Sequence, residues 1–350
     1  MNYSGLSSNR IVEVLPGLYQ IRLPIPIRSL GYVFAYFAID ADDNLLIDAG
    51  WPSEEAFVAL QSSLSEIGFS IGKIKTIIIS HLHPDHFGLA EQIRDLAPNS
   101  KLIIHRADAS LILDSYDEYK GFITELHEWL AEHGTPDEEL SAILDASGEM
   151  LHFFRPPKPT TIVEGGENLR VGDKWNFEVI PTPGHTVGTI CLYDRMSKVL
   201  FSGDHILPTI TPNVSLGPYY HGDPLGDYLI SLDKVRELEV ASVLPSHEHL
   251  FSDLQKRAGE IKAHHNDRLE DALSVLRRSA DELMSGYQIS TKLKWYSGSW
   301  ETLGPWERRA AIMETLAHLE YLKRRGTIAE VDELVEGKPQ VKYALVGKTC

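Results

Sequence analysis

The sequence predicts an α/β fold. It reads as a sandwich of strands and helices with a helical insertion at about 106–160, followed by a small C-terminal domain with helices and two strands in winged-helix order. Three observations predict this. Through residues 1–252, short runs rich in β-branched and aromatic residues alternate with helical patterns. Residues 106–155 break that alternation with an almost purely helical pattern holding 12 acidic and 3 basic residues. The charge then changes near residue 255: Met1–Gln255 carries a net −19 and Lys256–Cys350 a net +2, so 253–350 is taken as a separate domain.

The elements follow in order. Residues 11–25 and 32–50 each read as two strands, punctuated by Pro-Gly and by Asp-Asp-Asn. Residues 53–69 have helical apolar spacing, a Ser53 cap and a stop at Gly68. KIKTIIIS (73–80) is a short apolar run suited to a buried strand. LAEQIRDLAPNS then reads as helix and KLIIH (101–105) as strand. After the insertion come strands at 174–184, 189–194 and 198–204, a helix at 223–238 and a strand at 241–247. The C-terminal domain opens with a long helix from about Asp253 to Met284. A short segment, STKLKW (290–295), is capped by Ser290. A helix at 305–326 has Pro at its start and Gly at its end, and two strands fill 327–346.

Composition sets limits. A chain of 350 residues suits about two domains. No apolar run approaches the ~18–20 residues of a membrane span, and the N-terminus lacks a signal-type apolar stretch. Two cysteines, Cys191 and Cys350, make no disulfide framework, which fits a reduced cytoplasmic setting. A net charge of −17 argues against the whole chain binding a polyanion.

The 15 histidines are the informative residues. His81-Leu82-His83-Pro84-Asp85-His86 directly follows a buried strand. Three imidazoles and a carboxylate within six residues suit borderline cations such as zinc. On a loop, His81 and His83 can face one point while Asp85 and His86 turn to another, so the spacing hints at two metals. Three further candidates sit at strand ends: His185 in Pro-Gly-His-Thr, Asp204 in Ser-Gly-Asp and His247 in Pro-Ser-His. Strand ends on one edge of an α/β sandwich converge, which is where sites form. His205, His249, His264 and His265 are set aside, the first two as sequence neighbours of ligands and the others as helix-surface residues. Cys191 reads as a core thiol.

The motifs HLHPDH, PGHT, SGD and PSH, in that order, resemble those of the metallo-β-lactamase superfamily across about residues 11–252. The resemblance implies an αββα sandwich with its site on one edge. It implies two divalent ions, zinc foremost with manganese or iron as alternatives: one on His81, His83 and His185, the other on Asp85, His86 and His247, with Asp204 bridging. The superfamily's diiron oxidoreductase branch has an acidic residue where this chain has His83, so the ligand pattern here is the hydrolytic one. The C-terminal domain is similar to the winged-helix appendage of a branch that includes an endoribonuclease.

A hydrolase follows as the expected activity, with a metal-bridging hydroxide as nucleophile. Asp85 either moves the proton of the attacking water or serves only as a ligand. Asp48, in LLIDAGW, is expected to orient a ligand imidazole, with a turn cap as the plainer role. Tyr219, Tyr220 and His221, in a loop rich in Pro and Gly, are candidates for substrate contact. The acidic insertion, with Phe122, Trp129, Phe153 and Phe154, is expected to cover the site for a small-molecule or acyl ester, thioester or lactone. Nucleic-acid phosphodiester cleavage is the alternative, disfavoured because the acidic insertion repels phosphates. A mononuclear-iron sulfur dioxygenase is a further one. Trp295, Trp300 and Trp306 serve either a homodimer interface or docking onto the core, the plainer role.

Overall fold

The computed structural model describes residues 10–27, 30–115, 119–151, 157–279, 282–295 and 298–347. They divide between two compact units. The first is drawn from Met1–Tyr116, Phe153–Pro212 and Ser231–Ala258, the second from Asp117–His152, Asn213–Ile230 and Gly259–Cys350. The first unit runs on to Ala258, and the second takes most of the 106–160 insertion together with Asn213–Ile230.

Two sheets form the first unit. Strands β1 (Ile11–Leu15), β2 (Leu18–Pro24), β3 (Tyr32–Asp40), β4 (Asp43–Ile47), β5 (Thr76–Ile78), β6 (Lys101–His105) and β7 (Thr161–Val163) lie side by side in chain order. Pairing is antiparallel up to β4 and parallel from β4 to β7. The second sheet has the order β12-β11-β10-β9-β8, built from β8 (Asn168–Val171), β9 (Trp175–Pro181), β10 (Ile190–Asp194), β11 (Val199–Gly203) and β12 (Ser242–Pro245).

Alternation along β3 shows how the layers stack. Phe34, Tyr36 and Ala38 join Trp175, Phe177, Val179, Leu192 and Phe201 of the other sheet in one buried core. Val33, Ala35 and Phe37 point the other way, and Phe37 meets Phe69 with ring centroids 4.7 Å apart. On that side α1 (Glu54–Glu66), whose N-terminus is capped by Ser53, packs on β2. Each fully buried large side chain, such as Phe177, contributes about 1.5–3 kcal/mol. On the far side of the second sheet, Ser231 of α7 (Pro224–Arg236) donates to the Pro183 carbonyl across 2.9 Å. The layering is the expected αββα.

Local differences from the sequence expectation have physical reasons. The strands β7 and β8 went unread because three and four residues are too few to show a period. The HLHPDH segment is partly helical: α2 (Pro84–Phe87) begins with Pro84 at its first position. It is followed by α3 (Ala90–Leu96) and, after β6, by α4 (Arg106–Ser115).

In the second unit, α5 (Tyr119–Glu132) and α6 (Asp137–Leu151) accompany the C-terminal elements. The long helix α8 (Leu254–Arg278) stops short of Met284, which lies in strand β13 (Met284–Ser285). The next helix is α9 (Gly286–Ser290). Its cap is Ser285, paired with Gln288 in a capping box, so Ser290 ends a helix rather than starting one. Then come α10 (Pro305–Arg324), β14 (Ile328–Val335) and β15 (Lys338–Leu345), with sheet order β13-β15-β14. Glu139 of α6 accepts from Arg308 of α10 at 2.9 and 3.0 Å. Trp300 is buried beside Tyr287. Trp295 and Trp306 carry Arg268 and Arg309 over their rings at 4.2 and 4.7 Å. No helix among the described residues is long and apolar enough to cross a membrane.

Candidate metal centre

Five strands of the first unit deliver the site at their C-terminal ends. Asp48 follows β4, His81 to His86 follow β5, His185 follows β9, Asp204 follows β11 and His247 follows β12. The parallel pairs β4–β5 and β11–β12 force those ends to the same edge.

Three groups of side chains there could hold a metal ion: His81, His83 and His185; His81, His86 and Asp204; and Asp85, His86 and His247. In the first, Nε2 of His81 and Nε2 of His185 each lie 3.0 Å from Nδ1 of His83. Around the third, His247 Nε2 is 3.4 Å from Asp85 and 3.5 Å from Asp204, and His86 Nε2 is 3.7 and 3.6 Å from the same two carboxylates. His185 Nε2 lies 3.7 Å from Asp204, so Asp204 stands between the first group and the third.

The far nitrogens are tied back. His86 Nδ1 donates to Asp48 Oδ2 across 2.8 Å, and His247 Nδ1 donates to the Tyr32 carbonyl across 2.9 Å. Ser80 Oγ donates to Asp48 Oδ2, which leaves it to accept from His81 Nδ1 at 3.1 Å. Each bond occupies Nδ1, so that Nε2 is the ring nitrogen left to offer a lone pair to a cation at the centre. Asp48 also accepts from the Ser80 amide at 2.7 Å, from a backbone with φ of +61°.

The residues fit a cation. His86 Nε2, Asp204 Oδ1 and His247 Nε2 are buried with no hydrogen-bond partner among the described residues. Buried polar atoms are nearly always hydrogen-bonded, so three without such a bond, with His86 and His247 3.6 and 3.5 Å from Asp204, mark a place for a ligand. Imidazole and carboxylate donors suit zinc and its neighbours.

Electrostatics divide the site. Burial and the neighbouring imidazoles hold His81 below its usual range and take His83 down to about 3, so both are neutral donors at pH 7. In the other half burial is outweighed by opposite charges. Asp85 is held at about 2 by His86 and His247, and His247 is pushed up to about 10 by Asp204 and Asp85. His86 is likewise raised by Asp85, Asp204 and Asp48.

The set-aside histidines behave differently from one another. His205 is buried and belongs to no metal group among the described residues, and His249 is exposed. His264 is on the helix surface. His265 is not: it is buried in the second unit, with Nδ1 3.2 Å from His318 Nε2. It lies on the inward stripe of α8 with Leu254, Ala258, Ile261, Leu269 and Ala272. Cys191 is buried, and burial pushes its thiol up to about 12.

The proposed substrate residues lie in the second unit. Tyr220 donates to Asp227 across 3.0 Å, and burial together with Glu125 raises the Tyr219 hydroxyl. His221 is exposed. Of the insertion aromatics, Trp129 rests on His133 with centroids 4.4 Å apart; the Phe122 side chain, Phe153 and Phe154 lie outside the described residues.

One residue of the site was missed from sequence. Asp108, counted among the acids of the insertion, is fully buried at the start of α4. Its Oδ2 accepts from the Leu82 amide at 2.8 Å and the Thr186 hydroxyl at 2.9 Å, and its Oδ1 from the Gly188 amide at 2.8 Å.

Comparison with known proteins adds the following. A family model described as the metallo-beta-lactamase superfamily matches residues 28–247. The "Probable metallo-hydrolase YqjP" of Bacillus subtilis is 28% identical over 317 residues, covering 88% of this chain and 92% of that protein. The "Acyl-coenzyme A thioesterase MBLAC2" of Gallus gallus is 30% identical over 179 residues, 50% of this chain and 56% of that protein. Among solved structures, the metallo-beta-lactamase family protein TTHA1429 from Thermus thermophilus superposes with a TM-score of 0.79. Its identity is 30%, over 95% of this chain and 100% of that one.

Proposed function

The chain belongs to the metallo-beta-lactamase superfamily and is one of its hydrolases, and from that premise we propose that it is a dinuclear enzyme cleaving acyl thioesters. The observation that carries the metal half of this reading is the trio of buried atoms on His86, Asp204 and His247 that make no hydrogen bond among the described residues. The thioester half is supported by the partial likeness to a protein named as an acyl-coenzyme A thioesterase.

In this reading His81, His83 and His185 would hold one ion and Asp85, His86 and His247 a second, with Asp204 beside both groups. Zinc suits the mixed imidazole and carboxylate donors. Bound ions supply Lewis acidity and a nucleophile at neutral pH. The chain's own work is orientation and proton handling. Asp48, Ser80 and the Tyr32 carbonyl aim the ring nitrogens of His86, His81 and His247. Asp85 is ionised at neutral pH, with His247 on one of its oxygens, so it is the group placed to take a proton from the attacking water and return it to the leaving thiolate. No step is assigned to Tyr219, Tyr220 or His221. The element order of 253–350 suits a winged-helix-like appendage that serves as a packing module, since the net charge of +2 over Lys256–Cys350 gives little attraction for phosphates.

The test is a hydrolysis screen of apo-protein reloaded with zinc or manganese. It offers an acyl-coenzyme A, an aryl ester, a lactone, a phosphodiester and a β-lactam. Free thiol should be released fastest, and chelation should stop it. Faster phosphodiester cleavage would overturn the proposal in favour of a nuclease. One iron per chain with oxygen uptake on a persulfide would overturn it in favour of a dioxygenase.

A further inference from the structure

We propose that Asp108 is the positioning residue of the three-histidine metal site, the brace that holds its two ligand loops in register; this rests on reading His81, His83 and His185 as that site. The Leu82 amide lies between His81 and His83 in the chain, and Thr186 directly follows His185. Asp108 accepts from the amide of the first and the hydroxyl of the second, so one carboxylate holds the residues next to all three ligands. These loops come from different sheets, after β5 and after β9.

Its surroundings leave it no other employment. Among the described residues its hydrogen-bond partners are two amides and a hydroxyl, all from the two ligand loops, with no cation among them. Thr186 extends the brace: its amide donates to the Thr189 hydroxyl at 2.9 Å, and the Thr186 and Thr189 hydroxyls are 2.8 Å apart. The third contact demands glycine. A Cβ on Gly188 would sit 2.6 Å from both Cγ and the backbone nitrogen of Asp108, so the loop can close on the carboxylate only where no side chain intervenes. The group of Asp85, His86 and His247 takes its orientation from Asp48 and the Tyr32 carbonyl. Asp48 also reaches His81 through Ser80, whereas the hydrogen bonds of Asp108 go only to the loops of the three-histidine group, so losing Asp108 should affect one metal.

The experiment titrates zinc into apo-protein against a chromophoric chelator, resolving two dissociation constants. It is paired with the visible spectrum of the cobalt-loaded protein. His83→Ala and His247→Ala supply the reference spectra for each half alone. Asp108→Asn keeps the shape but leaves one amide facing an amide. It should weaken one site by roughly 10–100-fold and leave the other within about threefold. Its residual cobalt spectrum should match that of His83→Ala. Thr186→Val, which loses a single bond, should shift the same site in the same direction by less. It serves as the test if Asp108→Asn fails to fold. Parallel weakening of both sites would make Asp108 a general stabiliser and overturn the proposal, as would unchanged constants in both variants. A wild-type protein that binds no zinc would instead bring down the metal reading itself.

Discussion

Nδ1 of His86 and Oδ2 of Asp48 are 2.8 Å apart, both buried, and the bond leaves Nε2 of His86 as the only ring nitrogen able to face the metal centre. The same carboxylate takes the amide and hydroxyl of Ser80, so one aspartate sets two of the imidazoles. Asp48→Asn should keep the backbone, because asparagine tolerates its φ of +61°. It should lower metal affinity by roughly 10–100-fold through loss of the acceptor on His86. Unchanged affinity in a chelator competition would remove Asp48 from the ligand scaffold.

His83 is only partly buried, and its Nδ1 meets two other imidazoles rather than any structural group. His83→Ala should abolish turnover while the apo-protein melts within about 2–4 °C of wild type, the shift that ~1 kcal/mol produces. Full activity in that variant would dismiss the metal-site reading.

The pair His265 and His318 makes the second unit acid-sensitive. Burial, with Arg268 and His264 nearby, holds His318 at about 4, and His265 is lowered too. An unfolded imidazole titrates near 6.5. Between those values the unfolded chain binds protons that the folded one refuses. Stability is thus complete above about pH 6.5 and is lost as the pH falls toward 4. His318 alone accounts for roughly 3 kcal/mol. Urea titrations at pH 7.5 and pH 5 should show a smaller difference in His318→Gln than in wild type. Equal differences would refute the assignment.

Tyr36 donates its hydroxyl to the Pro245 carbonyl across 2.6 Å and accepts from Gln20 at 3.0 Å. The bond ties β3 to the end of β12, two residues before His247. Tyr36→Phe strands a buried carbonyl and should cost about 1–3 kcal/mol in urea denaturation. Zinc content should stay at the wild-type value; loss of metal in this variant would show that the strand end, and not only its stability, depends on the hydroxyl.

What could be read from sequence depended on how local the signal was. HLHPDH concentrates four donors behind one strand, and it organised the isolated His185, Asp204 and His247 into a single centre. Asp108 offered nothing comparable: one acid in an acidic stretch, distinguished only by partners 26, 78 and 80 positions away. His265 was legible in principle, since it falls on the apolar stripe of α8 at three- and four-residue spacing. The capping box of Ser285 and Gln288 was equally available, and the choice of Ser290 overlooked it. The union of α6 with α10 was not legible at all. It rests on pairs such as Glu139 with Arg308, separated by 169 positions, for which no short pattern exists.

The discontinuous build of the first unit imposes an order of assembly. Its third segment, Ser231–Ala258, contains β12 and His247, so a chain growing from the ribosome has made every other candidate ligand before the last one exists. Until then the edge strand β12 is missing and β11 has no parallel neighbour. Full occupancy of the centre therefore belongs to a late stage of biosynthesis. A fragment ending before residue 247 would expose a metal-hungry cluster of imidazoles without the residue that completes it.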